Sequence, residues 1–466
     1  MDEPVIHLFS DLELSEALGA ELHQAQRLRV SGISTDSRKV TADDLFFALS
    51  GERFDAHEFI GDVIGRGCRS IVVSKPVEVP ANVAVYRVND VLKSLGLLTR
   101  SLIERRRACG SFKVYGITGS NGKTTTKEIL ASLLETLGKR VLKTSGNFNN
   151  HIGLPLTVAG LCVNHDVAVL EMGANAPLEI DYLCSIGRPD AGIITSIGSA
   201  HLEGFGSIEG VASAKGELLS WVKRVILPSE TKKYYASRIS ESMHVTWVGE
   251  NGTAQASDLR QTLNGIEFMM HTEVGHFSVK LPLLGVHNAE NFVRAFALVQ
   301  DEAWDEAKLM EAASRVVLPS GRMERHAGIG GISLIHDAYN ANPASMQKAL
   351  DLMSEISTAA QRCLILGDMR ELGVTSDVLH RELGEKAARL GAKCLLCVGE
   401  SAHHIAQGAL SAGFSASDIY TCLTENLTEG LEWLKPFLSV GTVCLIKGSR
   451  GVRLERVLEA LRISSS

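Results

Sequence analysis

No run of roughly 18 consecutive apolar residues occurs in this 466-residue chain, so a membrane-spanning helix is not expected. The N-terminal MDEPVIHLFSDLELSEAL has no basic segment ahead of an apolar core, so a secretory signal is not expected either. Positive charge is also short, with 47 Lys and Arg against 54 Asp and Glu and a net charge of -7. A mildly acidic chain lacks the broad basic face that a phosphate backbone needs, so no nucleic-acid partner is expected, while local sites for phosphorylated ligands stay open. The nine cysteines are an odd number, scattered through apolar runs such as RCLILG and TVCLIKG. They read as small core residues with reduced thiols, which excludes a disulfide framework and points to the cytoplasm. The one CxxC pair, Cys394 and Cys397, lies in KCLLCVG, where a strand turns the two side chains to opposite faces and no second pair completes a zinc site. Internal repeats are absent, as is low complexity beyond a terminal SSS.

What is present is the composition of a folded soluble protein, 45% hydrophobic and 22% charged. At roughly 150 residues per domain the length suggests about three domains. From residue 318 short apolar runs alternate with amphipathic stretches: ISLIH and SMQKALDLM, RCLILG and HRELGEKAARLG, KCLLCVG and AHHIAQGALSAG, TVCLIKG and RLERVLEALR. Alternating βα units predict a parallel, doubly wound sheet. The same grammar recurs in the middle, with FKVYGIT, KTTTKEILASLLETLG, VAVLEMG and AGIITSIG. In its first helix Ile129, Leu130, Leu133, Leu134 and Leu137 share a face, and Gly138 stands where a C-terminal cap belongs. The segment DLRQTLNGIEFMMHTEVGHFSVKLPLLG carries an Asn264-Gly265 hairpin signal and reads as a small antiparallel patch on the middle domain. The expected fold is α/β throughout, with a mixed N-terminal domain (1–108), a central phosphate-loop domain (109–317) and a C-terminal Rossmann-like domain (318–466).

The strongest local signal is Gly116-Ile-Thr-Gly119-Ser-Asn-Gly122-Lys123-Thr124 between an apolar strand and a helix, the setting of a loop that binds ATP or GTP. Glycines let backbone N–H groups wrap the phosphates, the helix N-terminus adds positive potential, Lys123 can neutralise the β and γ phosphates, and Thr124 can ligate magnesium. The spacing departs from the common P-loop, and the plain alternative is a GKT in a surface turn. Glu171 ends VAVLE, where a carboxylate can hold magnesium or simply sit at a strand end. His201 follows IITSIGSAH and Lys215 lies on the next helix. Taken singly they read as a hydrogen-bonding histidine and a solvated lysine. In the last domain Arg322 of PSGRMER can clamp a γ-phosphate, and Asp337 of DAYNANP can accept from ribose hydroxyls. Asn340-Ala-Asn342-Pro343 alone reads as a turn before a helix, and Lys447-Gly-Ser-Arg450 as a carboxylate site or bare surface.

Together these segments resemble the Mur ligase family across all three domains. The spaced glycines with GKTTT match that family's phosphate loop, and LEMGA, AHLEGFGS with AKGEL, GVHNAENFVRAFAL, GRMER, DAYNANPASM, LILGDMRELG and IKGSRG follow in the family's order. The resemblance implies ATP bound by Gly119, Ser120, Asn121, Gly122, Lys123, Thr124 and Thr125, with Asn291 at adenine, Arg322 at the γ-phosphate and Asp337 at ribose. It implies two Mg2+ ions, held by Thr124, Glu171, His201 and a carbamylated Lys215, with Lys123, His201, Lys215 and Arg322 as the catalytic set. STDSRKV resembles the UDP-sugar-binding motif, which puts Thr35, Asp36, Ser37 and Arg38 on that substrate, with Asn340 and Asn342 as further substrate residues. The implied reaction joins UDP-MurNAc-tripeptide to D-Ala-D-Ala through an acyl phosphate. A cytoplasmic monomer that closes on its ligands is expected.

Three alternatives stay open at this stage. A sister ligase adding the third peptide residue should carry an Asn-Pro-Arg motif, a folylpolyglutamate synthase would not need the N-terminal domain, and a nucleotide switch would leave Glu171, His201 and Lys215 without purpose. Two departures from the family pattern stand out: His336-Asp337 replaces the usual pair of acids, and Ala56 replaces a glycine in Phe-Asp-Gly-His.

Overall fold

A computed structural model describes residues 3–24, 30–51, 54–198 and 202–463. His201 therefore lies outside the described residues. The described residues fall into two compact units, Met1–Gly198 with Gly204–Ala254 and Arg294–Trp304 in the first, and Gln255–Val293 with Asp305–Ser466 in the second.

Among the described residues the first unit holds two large sheets and one two-stranded antiparallel pair, Ser50–Gly51 with Phe54–Asp55. Its N-terminal sheet runs Glu21–Gln24, Ala84–Arg87, Ser70–Val73, Asp44–Phe47, Gly32–Ser34, parallel except where Glu21–Gln24 meets Ala84–Arg87. The helix Val91–Ala108, capped by the Asp90 side chain on Lys93 N, follows this sheet. Its Leu95, Leu98 and Leu102 join one continuous core with Leu154, Ile180 and Leu183 of the central region. Ala56 is buried at the start of a short 3-10 turn, Ala56–Phe59, and has no positive φ, so that turn needs no glycine.

The central sheet is six-stranded and wholly parallel, in the order His244–Val248, Arg224–Pro228, Ala191–Ile194, Lys113–Thr118, Val167–Glu171, Val141–Lys143. Lys113–Thr118 lies between its two partners with a crossover to each side, which makes its C-terminal end a topological switch point where a crevice opens. The helix Lys123–Thr136 starts there, and Gly138, at φ 77, lies just beyond its C-cap.

The second unit opens with the antiparallel sheet Gln255–Thr262, Gly265–Thr272, Gly275–Leu281. Its first turn is Leu263-Asn264, one residue earlier than the Asn-Gly signal, because the Thr262 hydroxyl accepts from Asn264 N at 3.1 Å and Gly265 already pairs with Thr262. By compactness this sheet groups with the last domain and not with the central one. Arg325 contributes to that grouping, since its guanidinium donates to Asn264 Oδ1 at 2.6 Å and to Leu263 O at 3.3 Å.

The last sheet runs Glu324–Ala327, Ser333–Asp337, Val443–Lys447, Arg362–Gly367, Cys394–Val398, Ile419–Cys422, parallel except for its first pair. Cys394 and Cys397 are both buried, in two different core clusters, as opposite faces of a doubly covered strand require. No disulfide joins any of the nine cysteines.

Candidate active site

In the first unit the loop between Thr118 and Lys123 is pinned from the neighbouring strand end. Ser120 N donates to Ser196 O, Asn121 N to Ser196 Oγ and Gly198 N to Ser120 Oγ, at 2.9, 2.9 and 3.0 Å. Thr195 Oγ1 donates to Asn121 O at 2.5 Å. Gly119 has φ 139, and a Cβ placed on it would lie 2.1 Å from Thr195 Oγ1, so only glycine fits. Gly122, at φ 84, is the N-cap residue that turns the chain into the helix. Lys123 folds back over the loop, its Nζ 2.7 Å from Gly119 O and 3.3 Å from Ser120 O.

Gly119→Ala should therefore leave the sheet intact and spoil the loop. Backbone strain of about 1–2 kcal/mol and overpacking of about 1–3 kcal/mol predict a ~10-fold or greater loss of ADP affinity by calorimetry. An unchanged affinity would show that the loop does not need this shape.

Glu171 ends the adjacent strand and is 3% exposed. Thr124 Oγ1 donates to its Oε2 and Asn149 Nδ2 to its Oε1, each at 2.9 Å. Its backbone N–H donates to Thr144 Oγ1 at 2.9 Å, which fixes the strand end. Three oxygen-bearing side chains thus converge where the helix begins, a donor set suited to a hard divalent cation. Asn149 and Thr144 were not picked out from the sequence. The only signal for the first is the asparagine-rich SGNFNN after a short strand, and Gly173 explains its fit, since a Cβ there would lie 2.9 Å from the Asn149 amide.

Lys215 is not a solvated charge. It is 2% exposed, donates from Nζ to Ala174 O at 2.9 Å, and lies 5.1 Å from the centroid of the Phe205 ring. Burial, reinforced by the nearby Lys123 charge, pulls its pKa from 10.5 down to about 7, against the opposing pull of Glu179 and Glu217. A cavity of ≈ 300 Å³ opens in the same unit, lined by residues including Asn150, His151, Gly173, Leu178 and Tyr182.

In the N-terminal sheet's loop, Arg38 pairs bidentately with Asp36 (Nε to Oδ1 and Nη2 to Oδ2, both 2.9 Å), and this holds the Asp36 carboxyl down at about 2. Thr35 and Ser37 flank this pair. Asp55, beside Ala56, takes hydrogen bonds from Ser50 Oγ at 2.8 Å and from the His57 ring at 2.6 Å, and pairs with Lys75.

In the second unit Asp337 and Lys447 stand in register on adjacent parallel strands and form an ion pair. Lys447 is 1% exposed, so it is neither bare surface nor an open carboxylate site; its Nζ also reaches Asn340 O at 3.3 Å. The second Asp337 oxygen accepts from Met323 N at 3.2 Å. Arg322 lies over the Tyr339 ring at 4.3 Å and Arg450 lies 5.4 Å from the same centroid. The buried Nε of Arg322 makes no hydrogen bond among the described residues. Asn291 is buried and donates to Asn288 Oδ1 at 2.9 Å. Asn342 Oδ1 caps the helix Pro343–Ile356 by accepting from Ser345 N at 2.9 Å, a role worth about 1 kcal/mol. Asn340 Oδ1 accepts from Ala341 N at 2.8 Å. Tyr339 was not picked out from the sequence, since nothing in DAYNANP marks it as the surface that two arginines share.

Comparison with known proteins follows the same order along the chain. Residues 29–112 match the description "Mur ligase family, catalytic domain", 117–299 "Mur ligase middle domain" and 321–450 "Mur ligase, glutamate ligase domain". The second of these spans the antiparallel sheet that compactness groups with the last domain. The UDP-N-acetylmuramoyl-tripeptide–D-alanyl-D-alanine ligase of Bacillus subtilis (strain 168) is 34% identical, over 94% of each chain. A crystal structure of MurF from Acinetobacter baumannii superimposes with a TM-score of 0.85 at 30% identity, covering 98% of this chain and 99% of that one. MurF ligase from Thermotoga maritima in complex with ADP has a TM-score of 0.79 at 27% identity, covering 92% and 96%.

Proposed function

The chain belongs to the Mur ligase family, and from that premise we propose that it is the ATP-dependent ligase that adds D-alanyl-D-alanine to UDP-N-acetylmuramoyl-tripeptide in peptidoglycan precursor synthesis. The observation that carries this reading is full-length similarity to ligases of that name, together with a glycine-built phosphate loop whose Thr124 meets a buried Glu171. In the reaction the terminal carboxylate of the tripeptide attacks the γ-phosphorus of ATP and ADP leaves. The amine of D-Ala-D-Ala then attacks the acyl carbon, loses a proton, and phosphate departs with the C–O bond. Carboxylates are poor electrophiles and acyl phosphates good ones, so the protein's task is positioning and charge stabilisation.

The residues divide that task. The loop amides of Gly119–Gly122 and the start of the helix Lys123–Thr136 hold the phosphates, with the Lys123 ammonium, which donates to the Gly119 carbonyl, beside them. Thr124 and Glu171 hold Mg2+, with His201 and carbamylated Lys215 on a second ion; magnesium, when bound, offsets charge on the transferring phosphate. The oxygen donors at Glu171 support the first assignment. The depressed Lys215 pKa supports the carbamate, because only the neutral amine attacks CO2, releasing a proton as the N–C bond forms. Arg322, with an unpaired Nε, takes the γ-phosphate, Asp337 the ribose and Asn291 the adenine. Asp36 and Arg38, with Thr35 and Ser37, meet the UDP-sugar, and Asn340 and Asn342 shape the turn that faces substrate. No helix of the described residues is long and apolar enough to cross a membrane, and the free cysteines support a cytoplasmic enzyme, which we take to act as a monomer.

The test is phosphate release from ATP with the tripeptide nucleotide and D-Ala-D-Ala, omitting each in turn and weighing the product. Release that needs all three and yields the pentapeptide nucleotide is expected. Release driven by a single amino acid or a folate would move the chain to a sister ligase.

A further inference from the structure

We propose that Glu324, His326 and His336 form a binding site for a divalent transition metal of the zinc type on the antiparallel edge of the last sheet, separate from the magnesium residues above. Strand Glu324–Ala327 pairs antiparallel with Ser333–Asp337, and Glu324 stands directly opposite His336. Directly opposed residues share a face, and so does a residue two along a strand, which brings His326 to the same side. One ligand atom from each of the three lies within 4.8 Å of the others. His326 Nε2 is 3.1 Å from Glu324 Oε1 and His336 Nδ1 is 3.8 Å from Glu324 Oε2. Metal–ligand bonds of about 2.0–2.1 Å in a tetrahedral set put donors about 3.3 Å apart, so only small side-chain adjustments separate this arrangement from a coordinated one.

The hydrogen-bond pattern favours a cation over a plain histidine–carboxylate pair. Neither ring nitrogen of His336 has a hydrogen-bond partner among the described residues, although His336 is only 4% exposed. Leaving an imidazole buried with neither nitrogen satisfied is costly, and a lone pair directed at a metal removes that cost. The carboxylate is already oriented from behind, with Ser320 Oγ donating to Glu324 Oε2 at 2.7 Å and Gly321 N at 3.2 Å, as outer partners orient metal-bound carboxylates. Two imidazoles and one carboxylate suit zinc, cobalt or ferrous iron and not magnesium, and they leave a coordination position open. A bound ion would tie the strand after Arg322 to the strand that ends in Asp337.

Chelator-stripped protein titrated with Co2+ and read by its visible absorption, then with Zn2+ by calorimetry, decides the matter. One ion per chain is expected, with millimolar Mg2+ unable to displace it. His326→Gln and His336→Gln should each weaken binding at least 10-fold, while His271→Gln, on the other sheet of this unit, should leave it unchanged. His326 is partly exposed, so its variant tests the site even if the His336 variant does not fold. Absence of a bound ion in the wild type, equal affinity in His326→Gln, loss in His271→Gln, or displacement by Mg2+ would each overturn the proposal.

Discussion

Replacing Lys215 by alanine is expected to cut phosphate release by ~10²-fold or more, the scale of losing one preorganised electrostatic group in a dry site. The structure makes this lysine unsuited to remain an ammonium: it is buried, has one carbonyl acceptor at 2.9 Å, and feels the Lys123 charge. If its work is done as a carbamate, a small carboxylate such as acetate should restore part of the alanine variant's activity, and stripping CO2 from wild-type assays should lower theirs reversibly. Because the pKa is about 7, wild-type activity should also decline as pH falls below 7 and the amine protonates. The stability sign follows from the same shift. Between about 7 and 10.5 the unfolded lysine holds a proton that the folded one has released, so the unmodified protein gains stability as pH rises across that window. Full activity in the alanine variant would remove both the carbamate and any direct catalytic part for this residue.

Much of this site was legible because its chemistry is local in sequence. The phosphate loop, its following helix and the VAVLE strand each announce themselves by period and glycine spacing, and the parallel sheets follow from alternating βα units. What was not legible depends on partners far along the chain. Asn149 reaches Glu171 across 22 residues, and nothing in SGNFNN says which asparagine does so. Lys447 meets Asp337 across 110 residues, and only strand order puts them in register. A short edge strand was also missed: Glu324–Ala327, Glu-Arg-His-Ala, is half exposed and carries little apolar signal. Lys215 is the reverse case, since its burial contradicts the solvated reading that its helix position alone suggests. The Asn342 side chain shows the opposite balance, for the plain reading of a turn before a helix is met by a cap with Pro343 in the first turn.

Asp337→Ala is expected to destabilise the second unit by about 3–5 kcal/mol, the usual cost of leaving one partner of a buried ion pair uncompensated. Lys447 is 1% exposed, and without the carboxylate its remaining acceptors are the carbonyls of Asn340, at 3.3 Å, and of residue 337 itself, at 3.5 Å. Urea unfolding of this variant beside Asp337→Ala with Lys447→Met separates the two contributions. Removing both charges should recover most of the lost stability, because a buried pair contributes little beyond its own desolvation while an orphaned charge costs the full amount. The double variant then isolates function: if Asp337 also meets ribose, stability returns while KM for ATP stays raised. A double variant with normal KM would confine Asp337 to holding two strands together, and a single variant losing less than about 1 kcal/mol would mean that water reaches Lys447.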